Sequence, residues 1–235
     1  MIELWREWLY PLGFLSSIAF SSRMLLQWLT SEIKGRSVVM PAFWKLSIAG
    51  NISLAIHSFI QAQFHVCLIQ TCNAVISWRN LNLMKPLPQQ VTLNRTIKIL
   101  MVAAFSIFAI FWLNGFFFLQ DEAWFRMPST SWHEGANLPI SFGWHLIGFL
   151  GLSLFSSRFW IQWLCAEQQK TSYLSGSFWW ISLIGEAICL VYFLKIRDPV
   201  NVIGPAFGLI PYIRNLMLIY KKRPTNLPSQ RMMHE

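Results

Sequence analysis

The sequence predicts an all-α integral membrane protein of about seven transmembrane helices, arranged as three, one and three. Three observations predict it: apolar runs long enough to cross a bilayer, an internal repeat that carries Gly13 onto Gly148, and basic residues segregated between loops. Of 235 residues, 54% are apolar and 12% charged, with a mean hydropathy of +0.43. Water-soluble domains of this size rarely show that balance. A helix needs about 20 residues to cross a hydrocarbon core about 30 Å thick. Runs of that length lie near Pro11 to Thr30, Pro41 to Ile60, Phe64 to Met84, Thr96 to Leu119, Ser141 to Cys165, Gly176 to Leu194 and Pro199 to Tyr220, the third and seventh being the most polar. The first eight residues carry two glutamates and no basic cluster, unlike a cleavable signal, so the first span is expected to be retained.

The formal charge of +9 is distributed as a topological signal and not as a nucleic-acid footprint. With the amino terminus outside, twelve of the nineteen basic residues fall inside, among them Lys34, Arg36, Arg79, Lys170, Arg214 and the Lys221–Arg223 run. The outside segments hold Arg6, Arg126, Lys195 and Arg197 beside most of the acidic residues. The positive-inside rule therefore places the carboxyl terminus in the cytoplasm. Cys67, Cys72, Cys165 and Cys189 sit in apolar runs and form no CxxC pair, so they read as packing residues. No metal site, cofactor motif, Walker loop or GxSxG nucleophile motif is present, and the histidines lack ligand spacing.

Sliding the sequence along itself until Gly13 meets Gly148 aligns Gly13 to Met84 with Gly148 to Ile219 without a gap, giving about 20 identities in roughly 72 positions. The matches fall on distinctive residues: Ser-Ser-Arg at 21–23 and 156–158, Gln-Trp at 27–28 and 162–163, Glu32 and Glu167, Phe-Trp at 43–44 and 178–179, Ser47 and Ser182, Gly50 and Gly185, and Arg-Asn-Leu at 79–81 and 214–216. The chain divides into a first three-helix repeat (10–84), a linker (85–140) with an inversion helix at about 96–119, a second repeat (141–220) and a basic cytoplasmic tail (221–235). Three spans per unit would make the units antiparallel. The fourth span restores a parallel repeat, whose binding sites lie between the halves.

Arg23 and Arg158 fall inside the first and fifth spans, where an arginine costs about 2.5 to 3.5 kcal/mol and needs a partner or a wet cavity. The planar guanidinium fork suits phosphate or carboxylate, so an anionic ligand stands beside an interhelical packing pair as the two readings. Gln27 and Gln162 follow one turn on. In the second span Trp44, Ser47 and Asn51 share a face, as do Trp179, Ser182 and Glu186 in the sixth; Glu186 either balances an arginine, the favoured reading, or stays protonated. The third span has a polar stripe of Gln70, Asn73, Ser77 and Asn80, where the seventh has Pro205, Gly208, Tyr212 and Asn215. Glu32 and Glu167, with Arg79, Asn80, Arg214 and Asn215, are assigned to the cytoplasmic mouth. Salt bridges there could use Lys34, Lys45, Arg79 or Lys170.

The repeated Ser-Arg, Gln-Trp, Glu, Phe-Trp, Ser, Gly and Arg-Asn-Leu pattern resembles the lipid A biosynthesis amino-terminal domain, the membrane region of some lipid-A-disaccharide synthases. The resemblance covers both units, and the architecture is similar to the PQ-loop and SWEET carriers, although no proline-glutamine pair occurs in the first or fifth span. What the resemblance implies is a role in lipid A or lipid-linked saccharide biosynthesis at a bacterial inner membrane. The ligand would be a phosphorylated glycolipid: Arg23 and Arg158 on the phosphate, Gln27, Gln162, Asn51 and Asn73 on the sugar, and Trp44 and Trp179 on ring faces or acyl chains. Membrane lipids and a glycosyltransferase are the implied partners, and nucleic acid is not. The family name implies disaccharide synthase activity, but the matched region holds no glycosyltransferase domain. The alternative is a SWEET-like carrier of a sugar or small metabolite.

Overall fold

The computed structural model describes residue 9 and residues 12–117, 141–195 and 199–221. Within them the chain forms seven long helices and no strand: α1 (Leu12–Lys34), α2 (Pro41–Ile60), α3 (Phe64–Leu83), α4 (Leu93–Phe117), α5 (Phe142–Gln169), α6 (Gly176–Lys195) and α7 (Pro199–Tyr220), with a short 3-10 turn at Leu87–Gln89. The expected spans coincide with these helices to within four residues. The largest difference is that α1 and α5 run on past their apolar segments to carry Glu32 and Glu167. The tail at 222–235 and the segment at 118–140 lie outside the described residues.

Helix ends follow local chemistry. Pro41 opens α2, where its missing N–H has no intrahelical partner to lose, after an extended Met40. Pro205 and Pro211 sit inside α7 without ending it. The first helix of each unit stops in the same way. Gly35 and Lys170, which the repeat superposes, both adopt the left-handed conformation (φ 59° and 51°). In each case the following amide closes the turn, Arg36 N–H donating to Ser31 O and Thr171 N–H to Ala166 O. Nothing lies within 4 Å of a Cβ built on Gly35, so Gly35→Ala is expected to cost only the backbone term, about 1–2 kcal/mol by thermal unfolding. An unchanged midpoint would contradict it.

Packing repeats with the sequence. Helix α2 lies against α1 and α3, α6 lies against α5 and α7, and α4 packs on α3. The units meet twice, α3 on α5 and α1 on α7. Each interface thus sets the last helix of one unit on the first helix of the other, as a two-fold relation requires. The core between them holds Phe43, Trp44, Phe159, Phe178, Trp179, Tyr212 and Leu216.

The polarity is inside out. Buried positions include Arg23, Gln27, Asn51, Arg79, Asn80, Arg158, Gln162, Glu186 and Asn215, while Phe14, Ile18, Phe105, Trp112, Phe116, Phe149 and Phe207 stand exposed. Exposed apolar surface of this extent marks an interaction surface and not a water-facing one. By length and composition two stretches, Leu87–Phe117 and Gly176–Lys195, qualify as membrane-crossing helices.

Candidate functional site: a two-fold clamp above an arginine-lined cavity

The residues assigned to the mouth, joined by Gln27 and Gln162 from the expected ligand site, form one set of contacts made twice, always between units. Gln27 donates to Asn215 Oδ1 (2.8 Å) and Asn215 donates back to Gln27 Oε1 (3.1 Å). At the equivalent place Gln162 donates to Asn80 Oδ1 (2.7 Å) and Asn80 to Gln162 Oε1 (3.0 Å). Ser37 and Ser172 hydroxyls add to the same asparagine oxygens, and the glutamines also cap the carbonyls of Val38 and Tyr173. A primary amide buried among helices must satisfy two donors and an acceptor, and the partner's amide does this reciprocally.

One turn further along, Arg214 grips Glu32 with two parallel bonds, Nη2 to Oε2 at 3.0 Å, and Arg79 grips Glu167 likewise at 2.9 Å. Trp28 and Trp163 donate their indole N–H to the same glutamates at 3.0 and 3.1 Å. The glutamates sit at helix carboxyl ends, where the helix dipole is negative and disfavours a carboxylate, so each depends on the arginine brought from the other unit. Of the four candidate partners, Lys34, Lys45, Arg79 and Lys170, two meet Glu167: Arg79 and Lys170. For Glu32 the partner is Arg214, which the sequence reading did not offer. The internal repeat holds the signal, since it maps the Glu167–Arg79 pair onto Glu32–Arg214.

The two ion pairs differ in their cover. Arg79 and Glu167 are 1% and 8% exposed, Arg214 and Glu32 42% and 30%. The segment leading into α4 makes the difference: Val91 O accepts from Arg79, Asn82 Oδ1 accepts from both Arg79 and the Val91 N–H, and Gln90 reaches Lys170 O. Both glutamates lie beyond the expected spans. Bonds from Arg214 hold the Glu32 carboxyl below its ordinary range, against a smaller opposing effect of burial. Burial pushes Glu167 up, and bonds from Arg79, Trp163 and Lys170 outweigh it, so it too ends below that range.

Deeper between the units lies a cavity of about 620 Å³ lined by Arg23, Arg158, Asn51, Gln70, Asn73, Glu186 and Tyr212, with aromatic and aliphatic walls. Arg23 donates to Ser47 Oγ and Arg158 to Tyr212 Oη, both at 2.9 Å. The guanidiniums rest on aromatic faces: Arg23 on Phe20 (4.5 Å to the ring centre), Arg158 on Phe155 (3.5 Å), and both on Phe159, at 4.9 and 5.0 Å. Ring faces stabilise a desolvated cation while leaving its in-plane N–H edges free. Arg23 Nε, Arg158 Nε and Asn73 Oδ1 are buried without a hydrogen-bond partner.

Several sequence expectations change here. Glu186 does not pair with an arginine: among the described residues no salt bridge joins it to Arg23 or Arg158, and its Oε1 lies against Gly208 instead. Trp44 and Trp179 are wholly buried in the core and do not line the cavity. Gln27 and Gln162 lie outside it, engaged in the amide pairs. Arg23, Arg158, Asn51, Asn73 and Glu186 do converge on it. Sequence reading missed the ring cradle of Phe20, Phe155 and Phe159; the repeated Phe three residues before each arginine was its signal.

Known proteins bear on the same two units. The pattern of the Lipid A Biosynthesis N-terminal domain matches residues 12–82 and 147–217. Lipid-A-disaccharide synthases are similar along almost the whole chain. The protein of Chlamydia felis is 36% identical over 220 residues, covering 91% of this chain and 33% of the relative. That of Chlamydia muridarum is 37% identical over 212 residues (90% and 34%), and that of Chlamydia trachomatis serovar D 38% over 214 (90% and 34%). The chain thus spans about a third of the length of these curated relatives. No solved structure matches. The two matched segments are related by the same shift as the internal repeat and together take in more than half of the sequence, so the chain belongs to the Lipid A Biosynthesis N-terminal domain family, in two tandem copies.

Proposed function

We propose that this protein binds or presents a phosphorylated glycolipid during lipid A or lipid-linked saccharide biosynthesis, holding the phosphate between Arg23 and Arg158 and the sugar against Asn51, Gln70 and Asn73. The observation that carries the reading is the pair of buried guanidiniums that face one cavity, stack on a shared ring and, among the described residues, meet no carboxylate in a salt bridge. Two cations so close repel each other in a medium of low dielectric, and a bound dianion relieves that repulsion. The relatives' name supports the biosynthetic setting.

The apolar exterior and polar interior support a membrane-embedded chain with all seven helices crossing, in the three-plus-one-plus-three, PQ-loop-like order. The bacterial inner membrane is the proposed site, with the clamp end cytoplasmic as the basic residues direct. A glycosyltransferase, linked or separate, would carry out any sugar transfer.

The test is binding of a diacylated glucosamine 1-phosphate to the purified full chain. Arg23→Leu and Arg158→Leu are each expected to weaken it by about tenfold or more, the order of a charged hydrogen bond. Equal binding by correctly inserted variants would overturn the proposal. A carrier of a sugar or small metabolite is the second reading, favoured by a cavity placed between two repeat units. Saturable flux of the ligand into proteoliposomes would support it over the binder.

A further inference from the structure

The two seams between the units are not equally closed. On the α1–α7 side, Leu25, Phe207 and Ile210 line the cavity and are also 53%, 71% and 50% exposed, so that wall of the cavity is itself apolar outer surface. Ser21, exposed on the same stretch of α1, lines it too. On the α3–α5 side the exposed lining is smaller, Ile69 (39% exposed) and Ser156, and the residue equivalent to Leu25 is Trp160, whose ring packs against Trp163 at 6.2 Å, neither tryptophan lining the cavity. At the clamp end the Gln27–Asn215 pair and the Glu32–Arg214 ion pair stitch the α1–α7 seam shut. The cavity therefore combines a cationic interior with an apolar opening sideways, wider on the α1–α7 side.

We infer that the α1–α7 seam is a lateral portal: the ligand is an anionic amphiphile whose headgroup meets Arg23 and Arg158 while its acyl chain leaves between Leu25, Phe207 and Ile210. This rests on the arginine site proposed above and adds to it a chain-binding wall and a side. A water-soluble phosphosugar would leave the wall uncovered. An acyl chain covers it with surface of its own kind, and in a bilayer it does so without leaving the hydrocarbon.

The experiment uses the full chain in phosphatidylcholine nanodiscs with two probes: a diacylated glucosamine 1-phosphate bearing a photoactivatable group in one chain, and glucosamine 1-phosphate. The lipid probe is held in the bilayer beside the portal at high local concentration and also covers the apolar wall, so the soluble probe is expected to bind about 100-fold or more weakly than the lipid. Irradiation is expected to label peptides of α1 and α7 around Leu25 and Ile210, and unlabelled lipid is expected to compete that labelling away. Leu25→Trp, which copies the closed seam, is expected to weaken lipid binding about tenfold, with unfolding temperature as the check on structure. Equal affinity for both probes, or competed labelling confined to α3 and α5, would overturn the portal and leave the arginine site standing. Binding of both probes that survives loss of both arginines would overturn the two readings together.

Discussion

Replacing Arg79 by leucine is expected to destabilise the protein by about 3–5 kcal/mol, the cost of leaving one partner of a buried ion pair uncompensated. Glu167 is nearly inaccessible, so once Arg79 is gone only Lys170, 3.2 Å away and half exposed, and the Trp163 indole remain to it. Arg79 also carries the bonds to Val91 O and Asn82 that fix the approach to α4, and these are lost at the same time. The equivalent Arg214→Leu is expected to cost much less, because its pair with Glu32 is open to solvent. Unfolding temperatures in one detergent would compare the two. Equal losses would mean that the cover from the linker does not strengthen the pair.

The same pairs make stability depend on pH, with a fixed sign. Both carboxyls have their folded values held below the ordinary 4.5. The unfolded chain therefore takes up protons first, and the contribution is full above that ordinary value and lost as pH falls through the folded one. Thermal stability is expected to drop on acidification below about pH 4.5, and Glu167→Gln is expected to flatten that drop.

The second large effect is expected at Gly185. A Cβ built there lies 2.8 Å from Phe155 N and 3.2 Å from Gly151 O, so it meets the backbone of α5 and no movable side chain. Gly185→Val therefore has to push α6 off α5, and overpacking of this kind costs about 1–3 kcal/mol or more. Because Phe155 and Arg158 sit on the displaced stretch, ligand binding should fall together with stability. At the matching Gly50 the Cβ would strike the Phe20 ring at 2.5 Å, and a ring can turn away where a backbone cannot. Gly50→Ala is expected to be the milder of the two in unfolding temperature, while still disturbing the ring under Arg23. If Gly185→Val were as stable as wild type, the close packing of α5 on α6 would be disproved.

The helices, their order and the duplication were legible in the amino-acid sequence, because run length, Pro41, Gly35 and the self-match of the two halves are local or linear signals. Charged and amide residues were legible there too, since polar groups among apolar runs stand out. Pairing depends on how the helices pack in three dimensions. Gln27 stands 188 positions from Asn215 and Glu32 182 from Arg214, and no periodicity within either helix selects those partners. The expected Glu186–arginine pair fails for the same reason. Opposite charges on different helices predict attraction, but whether they touch depends on how α5, α6 and α7 rotate, and that rotation sets Arg158 on Tyr212 and Phe155. The tryptophans follow suit: a Trp reads equally well as a ligand platform or a core residue, and packing between the two units placed Trp44 and Trp179 in the core.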